Sequence, residues 1–225
     1  MDYVKLIFKP LVARAARRAV VGRNRTSGSA DRGRFTRREV GDLMKQAWQT
    51  YSDEAPDLPA ETTVGSKMNV RLACFTKCFF TALTAAGTQR AYAIDLVADA
   101  TWRVYRIWSV LAAALTYLTP GKRTALAFAV SKRGEAEGAV SLTFPFNAPG
   151  YIIETVPSET GPAFNVLRCP VAEYFLNQDA ADLCTSAWCN LDYPLAELTN
   201  ETLDRTKTLV QGDHHCDFRL SSAPR

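Results

Sequence analysis

Apolar residues recur at helical spacing from the start of the chain. Val4, Ile7, Phe8, Leu11, Val12 and Ala15 form a stripe, while Lys5, Lys9, Arg14, Arg17 and Arg18 fall on other faces. This predicts an amphipathic basic helix. Two roles suit it: docking on a core with the arginines left in water, or contact with a membrane surface through residues 1–18. Docking is the expectation carried forward. Gly22 to Gly33, with Ser27, Gly28, Ser29 and several arginines, then reads as a flexible surface linker. Residues 1–34 are thus set apart from a single domain over 35–225.

Thr36 is placed to cap a second helix, with Glu39 three residues on, and Val40, Leu43, Met44, Ala47 and Trp48 continue an apolar stripe to Tyr51. A loop over Asp57 to Thr63 follows. Met68 to Ala86 and Gln89 to Leu118 predict two long helices joined at Gly87, and their all-round apolar character suits central helices. After Pro120 and Gly121 a further helix is expected to Lys132, and then a loop around Gly134 to Gly138. Beyond it the period changes to that of strands. Ser141 to Phe146, Tyr151 to Val156 and Phe164 to Arg168 are short β-type runs bounded by Pro149, Gly150, Gly161 and Pro162. Val171 to Asn177 and Ala180 to Trp188 predict helices. Leu203 to Val210 and Asp217 to Ser221 predict two strands joined by a turn at Gly212 and Asp213. The fold class is therefore α+β: a mainly helical half (35–133) packed on a small antiparallel sheet formed by the second half (134–225).

Composition adds limits on location and partners. With 47% apolar and 22% charged residues the balance is that of an ordinary globular protein. Nine of the 27 basic residues lie between Arg14 and Arg38, with Asp31 the one acid among them, so the net charge of +4 belongs to the N-terminal segment. No nucleic-acid partner is expected; a small-molecule substrate is, and pairing into a homo-oligomer is left open. Six cysteines in 225 residues fall well below the ~8–10% of a secreted disulfide scaffold. The first residues are broken by Lys5 and Lys9, so no signal peptide is expected there. No apolar run reaches the ~18–20 residues of a membrane span. A reducing, cytoplasmic setting is the expectation.

The chain carries no phosphate-binding Gly-rich loop, no Gly-x-Ser-x-Gly elbow and no His-Glu-x-x-His, which removes the nucleotide, serine-hydrolase and metalloprotease readings. Cys74 and Cys78 stand one helical turn apart. A shared metal or redox role suits that spacing, but Leu72, Phe75, Phe79 and Phe80 around them favour plain core thiols. The other four cysteines lie in a polar C-terminal segment. A zinc site from Cys169, Cys189, Cys216 and His215 is conceivable, yet the paired spacings of structural zinc sites are missing and no cofactor is expected. His214 and His215 sit at the expected turn, where solvent exposure is the ordinary state.

A thiol and carboxylate set remains. Cys169 precedes Pro170 and an apolar helical pattern, which places its sulfur at a helix N-terminus, where partial positive charge favours a thiolate. Asp192 follows Cys189 by three residues. Alternation along the last strand sends Cys216, Phe218 and Leu220 to one face and Asp217 and Arg219 to the other, so Cys216 is the buried thiol and Cys169 with Asp192 the better reactive pair.

In order, Cys169-Pro170, Tyr174-Phe175, Leu183-Cys184, Cys189-x-Leu191-Asp192-Tyr193-Pro194, Arg205-Thr206-Lys207-Thr208-Leu209-x-x-Gly212 and Cys216-Asp217-Phe218-Arg219 resemble the C-terminal signature of the L-2-amino-thiazoline-4-carboxylic acid hydrolase family. The Ala47-Trp48-x-x-Tyr51 helix and the Met68-Asn69 helix opening are similar to that family in layout. The ending is also similar to the 4-vinyl reductase type of small-molecule-binding domain, which bears on fold alone. The resemblance implies a hydrolase, acting on a C–N bond of a cyclic amidine, that opens a 2-amino-thiazoline carboxylate to a carbamoyl amino acid on a route to cysteine. It implies that a thiolate at Cys169 or Cys189 adds to the amidinium carbon, or that Asp192 activates water. Arg205 or Arg219 would hold the substrate carboxylate, with Asp217 and His214 beside it. Structural roles compete: Asp192 as a cap of the Tyr193-Pro194 turn, and the arginines as salt-bridge partners. A non-catalytic ligand-binding or regulatory domain with structural cysteines is the alternative function.

Overall fold

A computed structural model of the chain describes residues 2–117, 150–159, 161–198 and 201–222. The helix expected to Lys132, the loop near Gly134 and the strand expected at Ser141 to Phe146 lie outside the described residues. Helix α1 (Tyr3–Val20) starts at Asp2, whose carboxylate accepts from the Val4 and Lys5 amides. The same carboxylate takes hydrogen bonds from Tyr51 Oη at 2.7 Å and Arg71 Nη1 at 3.2 Å, tying the start of the chain to the next two long helices. Val4, Phe8, Val12, Ala16, Ala19 and Val20 enter the main core, while Leu6 and Ile7 stay exposed. The buried stripe therefore keeps Val4, Phe8, Val12 and Ala15 of the expected one and leaves Ile7 outside it.

Residues 24–34 pair as a hairpin of β1 (Asn24–Thr26) and β2 (Ser29–Arg34) where a flexible linker was expected. Gly28, with φ of +72°, supplies the turn that β-carbon-bearing residues resist. Arg25 bonds Glu39 and so holds the hairpin on the next helix. That helix, α2 (Arg37–Glu54), opens on the expected capping box of Thr36 and Glu39. After a short 3-10 turn at Ala55–Asp57 come α3 (Val64–Ala85) and α4 (Arg90–Tyr117), which are separated by Thr88 and a left-handed Gly87. Trp48 lies against Phe75, ring centroids 4.0 Å apart, and this pair centres the α2–α3 contact.

In the second half two described strands are followed by a run of helices and then two more strands. β3 (Ile152–Thr155) and β4 (Ala163–Arg168) lead to α5 (Pro170–Leu176), α6 (Ala181–Ala187), a 3-10 turn at Cys189–Leu191, α7 (Asp192–Leu198), β5 (Glu201–Asp204) and β6 (Cys216–Ser222). The sheet order is β3-β4-β6-β5, antiparallel throughout, with Phe164 opposite Phe218 and Leu203 opposite Leu220. The protein is thus α+β as expected. β5 stops at Asp204, short of the expected Val210, because Arg205 turns inward and the Asp217 carboxylate takes the Thr206 and Lys207 amides that a longer ladder would use. Leu209–Gln211 instead form a 3-10 turn closed by Gly212 at φ of +94°.

Two apolar clusters result. The larger joins α1 to α6; the smaller lies between the sheet and α7 and contains Tyr151, Phe164, Val166, Ala196, Leu203, Cys216, Phe218 and Leu220. Cys169 and Leu209 pack against both. This seam is where the polar residues of the C-terminal segment meet. Among the described residues no helix is long and apolar enough to cross a membrane.

Candidate functional site

Arg205 and Asp192 form the centre of the seam. Asp192 opens α7, and Arg205 follows β5, so the return of the chain from helix to strand brings the two side chains together. Arg205 Nη1 donates to Asp192 Oδ2 at 2.8 Å, with only 3% of the arginine side chain and 16% of the aspartate side chain exposed. Arg205 Nη2 donates to the Cys189 carbonyl at 3.0 Å. The guanidinium lies between the rings of Tyr193 and Phe218, 5.1 and 5.2 Å from their centroids, and Tyr193 Oη donates back to the Arg205 carbonyl at 3.1 Å. Arg205 Nε is buried with no partner among the described residues. A buried guanidinium N–H without an acceptor costs about 1–3 kcal/mol, so this edge is held ready for one.

Burial pushes the Asp192 carboxyl up to about 6, against the opposing pull of Arg205. Two tyrosines face the same place. Tyr105 on α4 and Tyr151 before β3 are both raised, first by burial; Tyr105 then by the charges of Asp192 and Cys169, Tyr151 by Cys169 and, after further neighbours, Asp192. Asn69 on α3, itself buried, donates to Tyr151 Oη at 2.8 Å.

Cys169 caps α5 as expected, its sulfur accepting from the Ala172 amide at 3.5 Å. The consequence for its proton is the reverse of that expected: burial pushes the thiol up and outweighs the amide contact, with the charges of Cys189 and Cys216 adding to the rise. Cys216 faces the sheet core as expected, its sulfur accepts from the Leu209 amide at 3.3 Å, and burial raises it to about 11. Cys184 and Cys189 sulfurs lie 3.9 Å apart.

The structure therefore gathers Cys169, Cys189, Cys216, Asp192 and Arg205 within electrostatic reach of one another. It does not bring Arg219, Asp217 and His214 to them through any hydrogen bond or ion pair among the described residues. Arg219 spends its guanidinium on the Phe164 and Phe218 carbonyls at 3.0 and 2.8 Å and on Asn165 Oδ1 at 3.0 Å. Asp217 braces the turn through the Thr206 amide and hydroxyl. His214 is exposed and His215 half-buried. The ligand atoms of Cys169, Cys189, Cys216 and His215 do not come within 4.8 Å of one another as a group; among the described residues that distance gathers Glu54, Cys74 and Cys78 instead.

Asn69, Tyr105 and Tyr151 escaped the reading of the sequence as site residues. Asn69 has one signal, its place in the Met68-Asn69 helix opening, whereas the tyrosines look like any core aromatic until the tertiary fold orients them.

A family model described as L-2-amino-thiazoline-4-carboxylic acid hydrolase matches residues 68–220, which include all of these residues. No curated protein and no solved structure matches the chain.

Proposed function

The chain belongs to the L-2-amino-thiazoline-4-carboxylic acid hydrolase family, and we propose that it hydrolyses a 2-amino-thiazoline carboxylate with Asp192 as general base and Arg205 as its partner. The observation that carries this reading is the buried pair itself: a carboxylate raised to about 6 is mostly ionised at neutral pH yet basic enough to take a proton from water. Water adds to the ring carbon between nitrogen and sulfur, and its proton goes to Asp192. The carbon–sulfur bond then opens as the added hydroxyl becomes the urea carbonyl and its proton goes to the ring nitrogen, while Asp192 passes its own proton to the departing sulfur. The product is a carbamoyl-cysteine, which keeps both nitrogens, so the bond that breaks is carbon–sulfur and the C–N bonds survive. Such a product suits a role in cysteine metabolism, and the reading keeps the expected reducing, cytoplasmic setting.

Arg205 supports the reaction in two ways. Nη1 orients Asp192 and keeps it charged, while the unpartnered Nε is the donor offered to the substrate carboxylate. Cys169, whose thiol is raised, stays protonated at neutral pH and lines the site as a neutral group.

The test is incubation with the thiazoline carboxylate and mass detection of the carbamoyl product. Wild type is expected to turn over, Asp192→Asn to lose about 10²–10⁴-fold in kcat, and Cys169→Ser to stay within about tenfold. Thermal stabilisation by the compound without product would instead mark a binding domain. A covalent adduct on Cys169, abolished in Cys169→Ser, would overturn the role given to Asp192 as activator of water.

A further inference from the structure

Glu54 is the last residue of α2, and Cys74 and Cys78 stand one turn apart on α3 beneath it. Both thiols are sealed from solvent, whereas 34% of the Glu54 side chain is exposed, so the cluster has a solvent side and a core side. One oxygen, Glu54 Oε2, lies 3.8 Å from Cys74 Sγ and 3.8 Å from Cys78 Sγ. The three ligand atoms are all within 4.8 Å of one another. Core packing asks for no carboxylate over two buried sulfurs, and sulfur–oxygen contacts of this length contribute little as hydrogen bonds.

The spacing matches the corners of a tetrahedral metal site. With metal–sulfur near 2.3 Å and metal–oxygen near 2.0 Å, ligand atoms in a tetrahedron sit roughly 3.5–3.8 Å apart. Charge also balances. Two thiolates and one carboxylate carry three negative charges, offset by a divalent ion and by Lys77, whose Nζ holds Glu54 Oε1 at 3.0 Å and Oε2 at 3.1 Å. With Oε2 on the ion, Oε1 keeps the lysine.

A second observation points to the same place from the core side. Tyr174 on α5 is only 4% exposed, its hydroxyl has no well-aligned hydrogen-bond partner among the described residues, and it bears on the Cys74 sulfur. Ionised by a metal, the Cys74 sulfur becomes a stronger acceptor for this hydroxyl, and outer hydrogen bonds of that kind orient ligands in metal sites generally.

We infer that Glu54, Cys74 and Cys78 form a site for one thiophilic divalent cation of the zinc class, with water in the fourth position and Tyr174 donating to Cys74. Binding releases two protons to solvent as both thiols ionise. The bound ion clamps the end of α2 to α3, and through Tyr174 reaches α5, whose N-terminus carries Cys169. The site stands apart from the Asp192 cluster, and its failure would leave the proposed hydrolysis untouched.

The full chain, reduced and stripped of metal by chelator, is titrated with cobalt(II) and followed by absorption. The expected result is one ion per chain with sulfur-to-cobalt charge-transfer absorption and tetrahedral d–d bands, displaced by zinc. Cys74→Ser/Cys78→Ser loses the charge-transfer band. Glu54→Gln, on the solvent side, leaves the fold intact by circular dichroism but shifts the d–d bands and weakens binding. Cys169→Ser/Cys189→Ser/Cys216→Ser keeps the full spectrum. Absence of the charge-transfer band in folded wild type, its loss in the triple variant, or a spectrum unchanged by Glu54→Gln would each overturn the inference.

Discussion

At the scale of single residues the protein rests on a contest between burial and pairing. Arg205 and Asp192 are taken out of water together, and taking either away strands the other. Arg205→Met is therefore expected to lower stability at neutral pH by about 3 kcal/mol, since an unpaired buried carboxylate remains. Arg205 pulls the Asp192 carboxyl down from a still higher value, so in the variant Asp192 protonates more readily. Its stability deficit should therefore shrink as the pH falls toward 5. Urea unfolding of wild type and variant at both values checks this; an equal deficit at both would mean that the pair is not coupled in this way. The same contest explains Cys169. A helix N-terminus favours a thiolate, and that much can be read from Cys169-Pro170, but burial is set by where the two apolar clusters meet and reverses the sign.

At the scale of elements, one arginine joins the strand layer to the helical layer. Arg168 ends β4, and its guanidinium bonds Glu61 at 2.8 Å, Glu173 at 2.7 Å and the Gly150 carbonyl. Glu61 lies in the loop after α2 and only 4% of its side chain is exposed. Arg168→Ala leaves that carboxylate buried and unpaired, with an expected loss of about 3–5 kcal/mol in urea unfolding. A loss under about 1 kcal/mol, as for a surface pair, would contradict the role. None of this was legible beforehand, because Glu61 reads as one polar residue in a loop and Arg168 as the end of a strand. The elements themselves were largely legible where period and cap agreed: the Thr36–Glu39 box opened α2, Gly87 divided α3 from α4, and Pro170 began α5. β5 is shorter than the strand-like alternation of Leu203 to Val210 suggests, because the residue that ends it, Arg205, does so through a partner thirteen residues earlier. The hairpin at 24–34 was missed for the opposite reason. Its strands bury almost nothing, so no apolar alternation announced them.

At the scale of the whole molecule, the proposed function rests on the seam between a helical core and a sheet core. The C-terminal signature was legible as a list of residues, and it named Cys169, Cys189, Asp192 and Arg205, which the fold gathers. It also named Arg219 and Asp217, which the sheet uses to hold its own turns and carbonyls. The seam's other wall, Asn69, Tyr105 and Tyr151, comes from α3, α4 and the approach to β3, far from the signature in sequence. Only the tertiary fold unites the two. The account stands or falls on Asp192 acting as a base with a carboxyl raised to about 6. A base works when deprotonated, so activity should climb tenfold per pH unit below that value and level off above it. The direct measurement is kcat/KM for the thiazoline carboxylate from pH 4.5 to 7.5 in wild type and Asp192→Asn. The account predicts an ascending limb centred near pH 6 that vanishes, with most of the activity, in the variant. A wild-type rate that is flat or falls across this range, or a limb that persists in Asp192→Asn, would contradict it.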